Sequence, residues 1–416
     1  MSYSPTATPE DFALEVVQRL QSKGHVAYWV GGCVRDRLLE RTVKDYDVAT
    51  DATPDRIREI FGRRRTQGVG AAFGVILVHG PKTAGPIEVA TFREDAHYSD
   101  GRHPDSVTFS SPEKDARRRD FTINGLFYDP STDQLIDYVG GQQDLSDKLI
   151  RAIGEADQRI DEDKLRMLRA VRFAATFGFR IDDDTKAAIA RRPSDILLVS
   201  AERIGDELRR MLSGAGRRSA LSLLVATGLL NRLLPEFEAE CDLGKCQLVL
   251  SNLSLPSFPP TLASMLVAIS HHRDGLAKIV DDVSQRWRLT NDEARETLRL
   301  VNNERQLRRA DSLPWSTVQP ILSGPAAADI VAFAAAMAAS QDESLTGIEF
   351  CGKKLELPTA ELDPAPLLTG EDLIGLEIPP GPIFKSILQV IRDRQLDGEC
   401  STVEEAVVVA RAIAQI

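Results

Sequence analysis

The sequence predicts an α+β fold: an N-terminal head built on a small mixed sheet with helices, followed by all-helical neck, body and tail segments. Three observations point there. Short β-like runs punctuated by Gly and Pro fill the first 140 residues. From about residue 141 these give way to apolar residues at helical spacing. Pro-rich breaks at Pro256–Pro260 and Leu355–Pro366 then divide the helical half. The expected segments are 1–140 for the head, 141–220 for the neck, 221–350 for the body and 351–416 for the tail.

In chain order, Asp11–Lys23 is an amphipathic helix with Phe12, Val16, Val17 and Leu20 on one face. Cys33–Glu40 and Pro54–Phe61 are two further helices. Val26–Val30, Val75–Val78, Ile87–Thr91, Val107–Phe109 and Leu135–Tyr138 are rich in β-branched and aromatic residues and are expected to be strands. Helices are expected over Asp161–Phe177, Asp183–Arg191, Ala201–Leu212 and Ser219–Leu230, and through residues 260–345. The Ala-rich run Pro325–Ala339 suits close helix packing. Ile383–Leu396 and Thr402–Ala414 complete the tail.

Hydrophobic residues make up 43% of the 416 and charged residues 27%, which excludes a disordered or fibrous chain. No apolar run approaches the ~18 residues of a membrane span, so no membrane partner is expected. Five cysteines are too few and too scattered for a disulfide scaffold and suggest free thiols in a reducing compartment. The N-terminus lacks a basic-then-apolar signal pattern, so a cytoplasmic location is expected. The net charge of −11 argues at first against a nucleic-acid partner.

The densest chemistry lies in residues 30–55. Asp45 and Asp47 are two apart, a spacing that on a strand places both carboxylates on one face. Such a pair repels unless a cation sits between. Mg²⁺ takes hard oxygen ligands, commonly one or two carboxylates plus substrate phosphates. Gly31-Gly32 precedes a helix, where glycine lets backbone N–H groups approach phosphate oxygens. Arg35, in that helix's first turn, can reach the same phosphates. A lone D-x-D is common and a lone Gly-Gly is more often a turn; the combination points to phosphate chemistry.

These residues, in the string GG-x-V-R-D-x-L-L followed by D-Y-D, resemble the signature of class II tRNA nucleotidyltransferases and bacterial poly(A) polymerases, members of the polymerase-β-like nucleotidyltransferase superfamily. Arg118-Arg119-Asp120-Phe121-Thr122-Ile123-Asn124 resembles the family's RRDFTIN motif. Glu162-Asp163-x-x-Arg166-x-x-Arg169-x-x-Arg172 resembles its EDxxR helix, and Ala201–Leu212 the motif that follows. Residues 367–399 resemble the tail of bacterial CCA-adding enzymes. The resemblance implies a catalytic polymerase-β-like head, a neck bearing a nucleotide-selecting helix, and a tail that binds RNA. It implies template-independent addition of C, C and A to the tRNA 3′ end from CTP and ATP, with two Mg²⁺ ions held by Asp45 and Asp47. Glu88 is a candidate third carboxylate, placed by strand alternation on the face opposite Ile87 and Val89. Gly31, Gly32, Arg35, Arg119, Asp120 and Asn124 become candidate nucleotide contacts. No protein partner is implied.

Asp163, Arg166, Arg169 and Arg172 recur every three residues, which predicts a polar ridge along one helix face opposite Leu165, Leu168 and Val171. A carboxylate beside a guanidinium matches the amine-plus-acceptor edge of cytosine and of adenine, and mismatches the reversed edge of guanine and uracil. The resemblance assigns this reading to Asp163 and Arg166, with Arg169 and Arg172 reaching toward triphosphate or RNA. Residues 66–78 loosely match the family's CCA-type pattern, and 92–104 resemble the loop that accompanies A addition. They favour CCA or A addition over CC addition and leave an A-adding specialist or a poly(A) polymerase open. Intact Asp45, Asp47, Gly31, Gly32 and Arg35 disfavour a non-catalytic RNA-binding protein.

Two other groups carry less. His271-His272-Arg273-Asp274 lacks the further His and Asp ligands of a metal hydrolase, and Cys241 with Cys246 lacks a second ligand pair for zinc. The charge is uneven: residues 151–220 hold 15 Lys and Arg against 12 Asp and Glu, whereas 221–416 hold 17 against 27. Only the neck is net basic, and an RNA partner is expected there.

Overall fold

The computed structural model describes residues 7–70, 74–95, 107–237, 242–269 and 275–415. The His271–Asp274 group, Cys241, most of the 92–104 loop and residues 71–73 lie outside the described residues. The chain divides into two compact units: Met1–Met211 with Ser219–Pro235, and Leu212–Arg218 with Glu236–Ile416.

The first unit is α+β. Helix α1 (Pro9–Gln21) opens with a capping box between Thr8 and Asp11 and buries Phe12, Val16, Val17 and Leu20, as its periodicity requires. Among the described residues the main sheet has seven strands: β1 (Ala27–Val30), β2 (Asp47–Thr50), β3 (Thr66–Gly70), β4 (Val75–His79), β5 (Pro86–Thr91), then β8 (Leu126–Asp129) and β9 (Gln134–Asp137) after a separate hairpin of β6 (Arg93–Asp95) and β7 (Val107–Phe109). The order is β3-β4-β5-β2-β1-β8-β9. Among the described residues of this sheet β2 and β5 pair in parallel, and the other neighbours are antiparallel. Val30, Ala49, Phe92, Ala116 and Phe127 form one core cluster around this sheet.

Five strands expected from the sequence are present within a residue or two. β2, β3, β6 and β8 were not expected, nor was a two-residue parallel pair between Leu149–Ile150 and Arg180–Ile181. β2 has four residues, three of them buried in succession, so no polar alternation marks it. After β1 come α2 (Gly32–Leu38) and, after β2, α3 (Pro54–Phe61). The short helix α4 (Pro112–Arg117) leads into a 3₁₀ turn at Thr122–Asn124, which rests against α5 (Gly141–Ser146).

The expected single helix Asp161–Phe177 is two helices, α6 (Ala156–Glu162) and α7 (Arg166–Phe177). Asp163 between them is extended, at φ −151° and ψ 105°. Helices α8 (Asp183–Arg191) and α9 (Ala201–Leu212) match their expected spans. The expected helix Ser219–Leu230 is shorter, Arg217–Ala226, because Gly228 takes a left-handed φ of 72° and ends it.

The second unit is helical. Its interior includes Leu262, Met265 and Leu266 of Phe258–Ile269, Leu300 of Asn291–Arg308, and Phe333 of Ala327–Ser340. The break expected at Pro256–Pro260 closes sooner, since Pro259 and Pro260 sit in the first turn of Phe258–Ile269, where a missing N–H costs nothing. The buried Arg217 guanidinium donates to the Leu253 and Leu255 carbonyls just beyond helix Leu243–Asn252. Among the described residues no single helix is long and apolar enough to cross a membrane.

Two glycines test this packing. A Cβ on Gly141 would stand 2.2 Å from the Thr122 carbonyl oxygen, backbone against backbone. Gly141→Ala is expected to destabilise the first unit by about 1–3 kcal/mol through overpacking. Gly352, inside helix Thr346–Leu355, has nothing within 4 Å of that position, so Gly352→Ala is expected to stabilise by about 0.5–1 kcal/mol. Denaturant titrations of both variants check the pair.

Candidate active site

The parallel register of β2 and β5 sets Asp47 directly opposite Glu88. Asp45 does not share the strand, as the D-x-D spacing suggested; β2 begins at Asp47. Tyr46 between them turns inward and packs its ring 4.9 Å from that of Trp29, leaving Asp45 exposed at the strand's entrance. Burial pushes the Asp47 carboxyl up to about 6, and the charge of Glu88 adds to it. Arg119 pulls the other way, and Asp45 raises it further. Among the described residues no three His, Cys, Asp or Glu side chains close into a ready-made metal cage. The donors are nonetheless all carboxylate oxygens, gathered against their own repulsion, and that set fits a hard divalent cation such as Mg²⁺. Cys33 beside them donates to the Val30 carbonyl at 3.3 Å, and burial pushes its thiol up to about 11, so it acts as a packed small residue.

Gly31 ends β1 and precedes α2 at φ 74° and ψ −123°, a conformation that L side chains rarely adopt. Its N–H donates to the Leu126 carbonyl. A Cβ there would lie 3.2 Å from Arg119 Nη1, so the glycine also leaves room for that guanidinium. Gly32 opens α2, with Arg35 Nη2 3.6 Å from where its Cβ would be. Arg35 is 8% exposed. It donates to Asn124 Oδ1 at 2.6 Å and to Asp36 at 2.9 Å. Its guanidinium lies over the rings of Phe173 and Phe177 at 5.2 and 4.7 Å.

Asp120 stands two residues before the 3₁₀ turn and Asn124 is its last residue. Asp120 Oδ1 accepts from the Phe121 N–H and from Asn124 Nδ2. Oδ2 accepts both Arg169 Nε at 2.8 Å and Nη2 at 2.6 Å. Burial alone would raise this carboxyl, but the Arg169 charge and the Asn124 hydrogen bond overcome it and hold the group well below the usual carboxylate range. A hydrogen-bonded line thus runs Arg169–Asp120–Asn124–Arg35. Asp115, 1% exposed, does similar work nearby: it binds Arg118 at 2.8 Å and Arg119 at 2.9 Å. Those two charges outweigh burial and keep its carboxyl low.

The predicted ridge is corrected at its first member. Arg166, Arg169 and Arg172 lie on α7, but Asp163 precedes the helix. Asp163 Oδ1 accepts the Leu165 N–H at 3.1 Å, and Oδ2 accepts Arg203 of α9 at 2.7 Å. Arg166 is not paired with Asp163: its Nη1 binds Glu162 at 2.5 Å and the Arg159 carbonyl at 2.7 Å. Arg172 turns to the buried Glu207 of α9.

These elements enclose a cleft of about 480 Å³ within the first unit, in the range of small-molecule sites. Its lining brings together Gly31, Gly32, Arg35, Asp47, Arg119, Asp120, Asn124, Asp163, Arg166 and Arg169. Asp45, Glu88 and Arg172 of the expected set are not among the lining residues. Arg93, Arg118 and Phe173 line it without having been singled out as contacts. Asp115 was also missed, although its spacing of three and four from Arg118 and Arg119 is the one that pairs charges on a helix.

The chain is similar to known proteins in sequence and in fold. Residues 27–151 match the poly(A) polymerase head domain, and residues 178–241 match the probable RNA and SrmB-binding site of polymerase A. The CCA-adding enzyme of Geobacillus thermodenitrificans is 45% identical over 222 residues, 53% of this chain and 54% of that protein. The chain thus spans about half the length of the first curated relatives it matches. The CCA-adding enzyme of Enterococcus faecalis is 37% identical over 310 residues, 69% of this chain and 74% of that protein. The crystal structure of the Bacillus stearothermophilus CCA-adding enzyme in complex with CTP superposes with a TM-score of 0.78 at 29% identity, over 96% of this chain and 95% of that one.

Asp120→Asn removes the closer of the two carboxylates on Arg169, and breaking such a buried pair is expected to cost about 3 kcal/mol at neutral pH. The depressed pKa fixes the sign of the pH dependence. The stabilisation is complete above the unfolded value of about 3.9 and is lost as pH falls through the lower folded value. Denaturant titrations from pH 7 to 3 are expected to show the variant less stable at neutral pH and less sensitive to acid than the parent.

Proposed function

Because the chain belongs to the CCA-adding enzyme family, we propose that it adds C, C and A to the 3′ end of tRNA from CTP and ATP without a nucleic-acid template. The observation that carries this reading is the single cleft in which the Gly31-Gly32 loop, Asp47, the 118–124 motif and the Asp163–Arg169 segment meet. In the reaction the 3′ oxygen of the RNA forms a bond to the α-phosphorus, the bond to the bridging oxygen breaks, and pyrophosphate leaves while the hydroxyl proton passes to solvent.

Asp45 and Asp47 would hold two Mg²⁺ ions, with Glu88 as a further carboxylate. When bound, the ions supply positive charge that favours loss of the hydroxyl proton and departure of pyrophosphate. The facing positions of Asp47 and Glu88 and the raised Asp47 carboxyl support this assignment. Arg35, Arg119 and the Gly31-Gly32 backbone bind the triphosphate, with Arg93 and Arg118 adding charge from the same wall. Asp120 and Asn124 orient the arginines beside the ribose and keep them aimed inward. Asp163 accepts the exocyclic amine of cytosine or adenine, and Arg166 donates to the adjoining ring nitrogen; guanine and uracil reverse that pattern and are rejected. Arg169 faces the nucleotide, while Arg172 supports the wall through Glu207 rather than touching it. Catalysis then rests on positioning and charge stabilisation. The residues expected to form neck, body and tail would hold the tRNA, and a tRNA substrate supports a cytoplasmic site of action.

The test uses tRNA ending at the discriminator base, at C or at CC, with CTP or ATP supplied singly or together and the ends sequenced. Ordered growth to CCA is expected. Addition of A alone to CC ends would identify an A-adding specialist, and long A tracts a poly(A) polymerase. Asp47→Ala is expected to abolish incorporation of both nucleotides, a loss of at least a thousandfold, while a filter-binding titration shows tRNA affinity near that of the parent.

A further inference from the structure

The two residues proposed to read the base are not paired with each other. Asp163 and Arg166 both line the cleft, yet Asp163 binds Arg203 and Arg166 binds Glu162. Arg203 stands on α9, forty residues along the chain, and is not among the cleft-lining residues. Its side chain is 22% exposed and that of Asp163 is 18% exposed, so the contact is partly shielded from water. The other Asp163 oxygen accepts the backbone N–H of Leu165. The carboxylate is therefore fixed at both ends: by the chain that enters α7 and by a guanidinium on a neighbouring helix. Glu207, also on α9, likewise fixes Arg172 and approaches Arg169 at 3.7 Å.

We propose that Arg203 is a specificity-determining positioning residue, which holds the Asp163 carboxylate toward the base and away from the neighbouring Arg166. Guanidinium groups compete for one carboxylate. A carboxylate released from Arg203 would have cleft arginines as cationic alternatives: Arg166, three residues along the chain, and Arg169, whose charge already interacts with Asp163. A closed Asp163–Arg166 pair would satisfy acceptor and donor together and leave neither for a nucleotide edge. With Arg203 and Glu162 as outside partners, Asp163 keeps an accepting lone pair and Arg166 keeps donors for the base. Selection among nucleotides therefore depends on a residue that does not touch them.

This inference rests on the proposed role of Asp163 and Arg166, so Asp163→Ala is the reference variant. The measurement is the ratio of kcat/KM for CTP over UTP, on full-length protein with tRNA ending at the discriminator base. Direct binding of CTP and of UTP without tRNA is measured in parallel. Arg203→Gln is expected to raise KM for CTP and ATP about tenfold and to lower the CTP-over-UTP ratio about tenfold. Arg203→Lys, which keeps the charge but loses the fork, is expected to recover part of both. The double variant Arg203→Gln/Asp163→Ala is expected to discriminate no worse than Asp163→Ala alone. If Arg203→Gln lowers thermal stability and kcat but leaves the ratio within twofold while Asp163→Ala collapses it, Arg203 is merely structural and the proposal is overturned. If Asp163→Ala itself leaves the ratio unchanged, the base-reading assignment fails first and the proposal with it.

Discussion

Repulsion among guanidinium groups is the constraint on which the rest of this site depends. Among the described residues six arginines line one cleft: Arg35, Arg93, Arg118, Arg119, Arg166 and Arg169. Left alone they would splay into solvent or force the walls apart. Three buried carboxylates hold them or the wall behind: Asp115 for Arg118 and Arg119, Asp120 for Arg169, and Glu207 for Arg172 and the back of Arg169. Each carboxylate is less than a tenth exposed, so each ion pair is fixed in geometry rather than averaged over rotamers. Phe173 adds a face on which Arg35, Arg169 and Arg172 rest. The result is a wall of aimed positive charge with one acidic corner at Asp47, which suits a triphosphate accompanied by divalent cations.

The fold supplies that corner by a local exception. Most strand neighbours in the sheet are antiparallel, but β2 runs parallel to β5, and this register alone sets Asp47 beside Glu88. β1, next to β2, ends in Gly31, whose left-handed φ turns the chain into α2 and places Arg35 over Phe173 and Phe177. The 3₁₀ turn carrying Asn124 is pressed against Gly141, so the Arg169–Asp120–Asn124–Arg35 line is anchored in the sheet and in α7 at once. Cleft-lining residues far apart in sequence thereby share one frame.

Much of this was legible in the chain. Of the thirteen residues singled out from sequence motifs, ten line the cleft. Their chemistry is local: a glycine pair, a D-x-D, a run of arginines, and spacing a helix would align. What was not legible depends on tertiary contact. Nothing near Arg203 in sequence marks it as the partner of Asp163, and nothing near Glu207 marks it as the partner of Arg172. The three-residue period across Asp163, Arg166, Arg169 and Arg172 suggested one ridge, whereas the extended backbone at Asp163 breaks it. Strand β2 escaped notice because burial on both faces erases alternation, and its late start left Asp45 outside it. Of the three expected carboxylates, Asp47 lines the cleft and faces Glu88 across the sheet, while Asp45 lies outside the strand.

In the proposed reaction the acidic corner and the arginine wall together hold one nucleotide with its metal ions. The most direct measurement is a crystal structure of the full chain with CTP and Mn²⁺, recorded at the manganese absorption edge. The account predicts anomalous signal beside Asp45 and Asp47, the triphosphate against Arg35 and Arg119, and the cytosine edge facing Asp163 and Arg166. A nucleotide bound with its base away from Asp163, or manganese absent from both aspartates while CTP occupies the cleft, would contradict it.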